Sequence, residues 1–71
     1  MKITEDQIGD EKAFFNFAPF YVDIRPIKTG YSLYLWESQN NCNYWEIFKD
    51  FCDKKSLVDF VNNELSIFNN D

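Results

Sequence analysis

The stretch of residues 31–51 constrains the fold most strongly, because it concentrates the aromatic residues of the chain. It holds both tryptophans and seven aromatic side chains in all: Tyr31, Tyr34, Trp36, Tyr44, Trp45, Phe48 and Phe51. Aromatic side chains bury the largest area per residue. A chain of 71 residues buries only about 60% of its unfolded surface, so this block must supply much of what stabilises the fold.

Two segments flanking a short turn alternate between residues of opposite character. Residues 20–27 place Phe20, Val22 and Ile24 on one side, and residues 31–37 place Tyr31, Leu33 and Leu35 on one side. Period-two alternation is typical of strands, and the connection at 28–30 ends in Gly30, which tolerates a positive φ. The pattern predicts a β-hairpin.

The remainder of the aromatic block predicts a loop and a third strand. Residues 38–43, SQNNCN, are polar and rich in turn-forming side chains. Residues 43–52 fit both a helical stripe and a strand face. The β-branched and aromatic content favours a third antiparallel strand, with a helix as the alternative.

Helices are predicted at both ends. Thr4 and Gln7 have the spacing of a capping box, which predicts a first helix over residues 4–15, ended by Pro19, with a loose N-terminal arm as the alternative. Ser56 is a candidate N-cap for a second helix over residues 57–67, followed by a frayed tail at 69–71. Its apolar stripe comprises Leu57, Phe60, Val61, Leu65 and Phe68.

These elements predict a small single α+β domain over residues 1–71, in the order α-β-β-β-α. One sheet face would carry the aliphatic residues and pack on the C-terminal helix. The second face would carry Tyr21, Tyr34 and Trp36, joined by either Tyr44 or Trp45 because neighbouring strand residues face opposite ways. Three explanations are open for this second face: the N-terminal helix covers it, a second copy pairs with it, or a partner binds it.

Charge and composition narrow the classes of function that the chain could have. The formal net charge is −5, with 12 acidic and 7 basic residues, which disfavours binding through phosphate contacts. The chain has no histidine and two cysteines, so neither a Ser-His or Cys-His pair nor a four-ligand zinc site is available. We expect no enzyme, no cofactor and no metal site.

Aromatic residues beside acidic residues point instead to protein binding. The anchors would be Tyr34, Trp36 and Trp45, because Tyr and Trp are enriched at binding hot spots. The acidic rim would be Glu37, Glu46, Asp50 and Asp53, suited to a partner with a basic surface. The alternatives are a structural homodimer, and a single-stranded nucleic-acid binder that stacks bases on the aromatic residues.

The cellular compartment and the kind of source genome are predicted from weaker sequence signals. The chain opens MKITEDQIGD, without an apolar leader segment, so we expect a cytoplasmic protein with free thiols at Cys42 and Cys52. In size, acidity, abundance of residues with AT-rich codons (Asn, Phe, Lys and Ile) and lack of catalytic groups it resembles small phage or mobile-element proteins that inhibit a host protein. Some of these, such as anti-CRISPR proteins, occupy a basic nucleic-acid channel. That resemblance implies an inhibitor of a nucleic-acid-handling protein.

Overall fold

A four-stranded antiparallel sheet with one helix on one face forms the fold. The computed structural model describes residues 1–68; residues 69–71, including the tail expected to fray, and the side chain of Phe68 lie outside the described part. The elements in chain order are a 3₁₀ turn at Glu5–Gln7, β1 (Ala13–Phe17), β2 (Phe20–Ile27), β3 (Gly30–Gln39), β4 (Cys42–Phe51) and α1 (Lys54–Phe68). The strands lie in the spatial order β1-β2-β3-β4.

Short turns set the register of the three hairpins. Ala18 and Pro19 join β1 to β2, and residues 28–29 join β2 to β3. Asn40 and Asn41 join β3 to β4, both with positive φ, 53° and 64°. This is the backbone of a type I′ hairpin turn, which asparagine tolerates better than most residues. The polar loop predicted for 38–43 is therefore only this two-residue turn.

The prediction of strand over helix for residues 43–52 is confirmed, since β4 covers almost all of them. The predicted strands at 20–27 and 31–37 lie within β2 and β3. The prediction of three strands is wrong, because residues 13–17 add a fourth strand at the edge of the sheet.

The N-terminal helix predicted over residues 4–15 is also wrong. Only a 3₁₀ turn forms, although the backbone N–H of Thr4 does donate to Gln7 Oε1 at 2.9 Å, as the capping-box spacing predicted. Gly9 weakens a helix here, and pairing with β2 gives residues 13–17 a set of backbone hydrogen bonds in an extended conformation.

The core lies between the sheet and α1. The fully buried side chains come from β2, β3, α1 and the N-terminal segment: Ile3, Ile8, Val22, Ile24, Leu33, Leu35, Leu57, Val61 and Leu65. Asn62 of α1 fastens the N-terminal segment to the helix. Its Oδ1 accepts from the backbone N–H of Ile3 at 2.8 Å, and its Nδ2 donates to the Ile3 carbonyl at 2.9 Å.

The C-terminal helix is confirmed, but it begins earlier than predicted. It starts at Lys54, and Asp53 rather than Ser56 is the cap. Asp53 Oδ1 accepts the backbone N–H of Ser56 at 2.8 Å, which is the hydrogen bond an N-cap side chain makes to the third helical residue.

Candidate functional site

The sheet face opposite α1 carries a continuous row of aromatic rings. We call this the open face, and we call its five rings the aromatic ladder: Phe14, Tyr21, Trp36, Tyr34 and Phe48. The ladder crosses all four strands, because cross-strand partners share a face: Tyr21 is paired with Trp36, and Tyr34 with Phe48. Within residues 1–68, both α1 and the N-terminal segment pack on the other face, so the ladder is uncovered.

This arrangement excludes one of the three explanations left open for the aromatic face, cover by the N-terminal segment. Of the three side chains that would make that cover, Ile8, Phe14 and Phe15, the first and last belong instead to the side of the core. Phe14 does join the aromatic face, but as a member of the ladder on an edge strand and with 55% of its surface exposed.

Successive rings of the ladder are close and nearly parallel. The centroids of Phe14 and Tyr21 are 6.2 Å apart, and those of Tyr21 and Trp36 are 5.5 Å apart. Tyr34 lies 4.3 Å from Trp36 and 4.3 Å from Phe48, with interplanar angles of 17° and 4°. The ladder is therefore one stacked unit with its most exposed ring, Phe48 at 68%, at the β4 end.

Tyr34 is held between two rings. At a separation of 4.3 Å, nearly parallel rings lie face to face rather than side by side. Trp36 and Phe48 cannot share one face of Tyr34 without overlapping, so each occupies one face. The ladder consequently has few free ring faces and offers mainly ring edges to a ligand.

A carboxylate lies beside the Tyr34 hydroxyl. Tyr34 Oη donates to Glu46 Oε1 at 3.3 Å. Desolvation by the surrounding rings, together with the negative charge of Glu46 and this hydrogen bond, raises the pKa of Tyr34 above its ordinary value. Tyr34 is therefore a neutral hydrogen-bond donor at physiological pH.

A depression of about 280 Å³ lies next to the β4 end of the ladder. Its lining residues are Asp23, Arg25, Ser32, Tyr34 and Phe48. The side chain of Asp23 is only 13% exposed, and its Oδ2 lies 3.5 Å from Arg25 Nη2 and 3.9 Å from Lys12 Nζ. Asp23 Oδ1 is buried without a hydrogen-bond partner among the described residues.

The structure brings together four of the seven side chains predicted as a binding site. Tyr34, Trp36, Glu46 and Asp50 all lie on the open face, since Trp36 is paired with Glu46, and Asp50 with Ser32. These four place two aromatic rings and two carboxylates on one surface.

Trp45, predicted as the third anchor, lies on the opposite face. It is paired with Glu37, its ring centroid is 6.3 Å from that of Phe20, and it packs against the core. The pairing of β3 with β4 shifts register between Glu37 and Ser38. Tyr44, the residue before Trp45, is 59% exposed.

The other two predicted rim residues have local roles. Glu37 shares the face of Trp45 and accepts a hydrogen bond from Gln39 Nε2 at 3.1 Å. Asp53 follows β4 and caps α1, and the hydrogen bonds from the Ser56 backbone and hydroxyl hold its pKa below the ordinary value. Neither carboxylate adjoins the aromatic ladder.

Sequence reasoning missed four side chains of this surface: Phe14, Phe48, Asp23 and Arg25. The signal for Phe48 was available, because an aliphatic residue such as Ile47 favours the core face and alternation sends its neighbour to the other face. The signal for Phe14 was hidden, since its strand was read as a helix. Alternation along β2 puts Asp23 and Arg25 on the same face as Tyr21, but only the structure shows the depression that they line.

Other kinds of site find no support in the described part of the chain. No group of three or more Cys, Asp or Glu side chains in residues 1–68 could hold a metal ion. No helix in that range is long and apolar enough to span a membrane. Cys42, the first residue of β4, and Cys52, the residue after its end, are both exposed free thiols.

The comparisons with known proteins leave the surface to be interpreted by its own chemistry. No protein-family model, no curated protein and no solved structure matches this chain.

Proposed function

We propose that this chain is a small acidic protein-binding module that docks to its partner through the open face. The observation that carries the proposal is the aromatic ladder, which crosses all four strands and leaves Phe14 and Phe48 more than half exposed. Exposed apolar patches with a polar border mark interaction surfaces. Stacked rings on a sheet are also rigid, so ordering them on binding costs little entropy.

The charge of the module favours a partner with a basic surface. The chain carries a net charge of −5, and the open face presents Glu46 and Asp50 beside the ladder. Complementary charge speeds encounter and excludes partners of the wrong sign. Nucleic-acid-handling proteins offer such surfaces in their binding channels. In its specific form, the proposal is that the module occupies the binding channel of a nucleic-acid-handling protein and inhibits that protein, as anti-defence proteins of phages do.

The two other functions fit the same face less well. A single-strand binder needs free ring faces for the bases, whereas both faces of Tyr34 are occupied by neighbouring rings. A homodimer through this face would bring Glu46 and Asp50 of two negatively charged copies together, and like charges in an interface are unfavourable.

The proposed module is not an enzyme and acts in the cytoplasm. The exposed thiols of Cys42 and Cys52 are compatible with a reducing compartment. The open face offers one tyrosine of raised pKa and surface carboxylates, which together make no nucleophile-base pair.

The test is affinity capture from the source cell with matched variants as bait. The bait is the full chain, compared with the double variant Phe14→Ser and Phe48→Ser. A partner of the open face is retained by the wild type and lost from the double variant. Retention decreases as salt is raised, because the contact is electrostatic as well as apolar.

The matched control is Ile67→Ser, which removes an equally exposed apolar side chain (59%) from α1 on the far side of the sheet. It retains the partner as the wild type does. The proposal is overturned if every retained protein is held equally by the double variant. Sedimentation of the purified chain at high micromolar concentration tests the dimer, and gel shift of labelled oligonucleotides at low salt tests the nucleic-acid binder.

A further inference from the structure

We propose that the depression beside Tyr34 and Phe48 receives an arginine side chain of the partner, with Asp23 as the residue that recognises it. This inference rests on the proposed function and identifies one point of contact within it. Five residues line the depression: Asp23, Arg25, Ser32, Tyr34 and Phe48.

The size of the depression suits one side chain. Its volume of about 280 Å³ falls below the range of roughly 300–1,000 Å³ that is usual for small-molecule sites. It lies on the open face next to the ladder, so a protein seated on the ladder would reach it without a long extension.

Asp23 supplies the chemical preference. Its carboxylate is largely buried, and Oδ1 has no hydrogen-bond partner in the described part of the chain. Leaving a buried charged acceptor without donors is costly. Asp23 lines the depression, so a donor-rich cation bound there lies beside this carboxylate.

The present cations near Asp23 are weakly held. Arg25 Nη2 and Lys12 Nζ lie 3.5 Å and 3.9 Å from Oδ2, beyond the roughly 2.7–2.9 Å of a charge-assisted hydrogen bond. Both cationic side chains are more than half exposed, although the carboxylate they approach is largely buried, so either cation returns to water when it moves away. An incoming cation can displace Arg25 at small cost.

The walls favour guanidinium over ammonium. Tyr34 has a neighbouring ring on each face, but Phe48 ends the ladder and is 68% exposed, so a planar guanidinium packs against its outer face. Its forked N–H groups can also bind both oxygens of one carboxylate. Lysine offers a point charge that is more strongly hydrated.

The direct experiment uses a small probe in place of the unidentified partner. Acetyl-arginine amide is titrated into the ¹⁵N-labelled chain, with acetyl-citrulline amide as the neutral isostere and acetyl-lysine amide as the alternative cation. The arginine probe is expected to shift the amide resonances of Ser32, Tyr34 and Phe48. The citrulline probe leaves them in place, and the lysine probe binds more weakly.

Variants then assign the contact to Asp23. Asp23→Asn weakens the arginine probe at least about tenfold, the size expected for loss of a charge-assisted hydrogen bond. Asp10→Asn makes the same change of net charge at an exposed position in the N-terminal segment and leaves affinity unchanged. Asp23→Ser serves if the amide variant does not give the wild-type spectrum.

Arg25 is tested in the opposite direction. Arg25→Gln removes the resident competitor and tightens the arginine probe, whereas Lys28→Gln, a matched charge change in the β2–β3 turn, has less effect. The inference is overturned if citrulline shifts the same resonances equally, if Asp23→Asn binds as the wild type, or if Arg25→Gln weakens binding.

The outcomes separate this inference from the proposed function. If the Phe14 and Phe48 double variant loses a captured partner while the arginine probe fails to bind, the open face docks proteins without an arginine site. If the probe binds and Asp23→Asn abolishes that binding, while no captured partner depends on the aromatic ladder, the arginine site is supported and the proposed function fails.

Discussion

The rings of Tyr34 and Phe48 lie face to face across β3 and β4, with centroids 4.3 Å apart and planes 4° from parallel. This pair joins the half-buried middle of the aromatic ladder to its most exposed end. It also forms one wall of the depression that contains Asp23. The two residues therefore link the shape of the open face to its chemistry.

Phe48→Ala is expected to leave the fold intact. The side chain is 68% exposed, so its loss removes one cross-strand pair, worth less than about 1 kcal/mol of the free energy of unfolding. Urea unfolding measures this, and near-UV circular dichroism reports the loss of ring stacking at Tyr34. The comparison is Leu35→Ala, fully buried on the other face of β3, which costs about 2–5 kcal/mol. Equal losses would mean that the open face is part of the core.

Alternation along the strands was enough to predict which face each β2 and β3 side chain joins. Tyr34 and Trp36 were separated from Leu33 and Leu35 on this basis, and the structure agrees. Alternation also holds within β4, where Trp45, Ile47 and Phe51 share the core face. Trp45 was wrongly predicted as an anchor because its face relative to Tyr34 depends on how β4 pairs with β3. A register is a property of a pair of strands, so the pattern of one strand cannot determine it.

The N-terminal segment was misread for a different reason. The capping-box contact of Thr4 with Gln7 does form, but it closes only one 3₁₀ turn. The strand at 13–17 is stabilised by pairing with β2. That pairing is a tertiary contact, so the local sequence of residues 13–17 does not reveal it. Asn62 likewise lies outside the apolar stripe by which α1 was predicted, although its amide holds Ile3.

Asn62→Ala is expected to loosen the N-terminal segment from α1. The change removes two hydrogen bonds to the Ile3 backbone and costs about 1–3 kcal/mol of the free energy of unfolding. Hydrogen exchange at the Ile3 amide is expected to accelerate by more than the loss of global stability alone would produce. Asn63→Ala, at the exposed neighbouring position, is the control and leaves that exchange rate unchanged. Similar exchange in the two variants would contradict the fastening role.

The raised pKa of Tyr34 makes a prediction about Glu46. Glu46→Gln removes the negative charge beside the phenol, so the pKa of Tyr34 falls. It remains above the ordinary value of 10.0, because burial is the larger cause of the shift. NMR titration of the Tyr34 ring measures both values. Asp50→Asn changes an open-face carboxylate that does not bond Tyr34 and leaves its pKa in place; a fall as large as that in Glu46→Gln would count against the assigned contact.

Asp53 makes the stability of α1 depend on pH in the acid range. The pKa of Asp53 is lower in the folded chain than its ordinary value of 3.8, chiefly because its carboxylate accepts the Ser56 backbone N–H. The ionised form therefore stabilises the fold above that ordinary value, and this contribution is lost as pH falls through the lower, folded pKa.

Asp53→Ala consequently lowers the urea midpoint at pH 7, and its difference from the wild type shrinks below pH 3.8. Asp53→Asn keeps a side-chain oxygen that can cap α1 but has no ionisable carboxyl group. Its urea midpoint at neutral pH therefore lies between those of the wild type and Asp53→Ala. A wild-type to alanine difference that is the same at pH 7 and in strong acid would show that Asp53 does not act through its charge.

Gly30 is the position where the hairpin of β2 and β3 admits no side chain. Its φ is +143°, a conformation that other residues rarely adopt, and a Cβ there would overlap the carbonyl oxygen of Phe51. Gly30→Ala therefore combines backbone strain of about 1–3 kcal/mol with displacement of the end of β4, and urea unfolding should show a loss of at least that size. Gly9→Ala is the matched control, since nothing lies within 4 Å of a Cβ built at that position, and it is expected to be neutral or slightly stabilising because alanine restricts the unfolded chain. If the two alanine variants unfold at the same urea concentration, the close approach of Gly30 to Phe51 does not hold in solution.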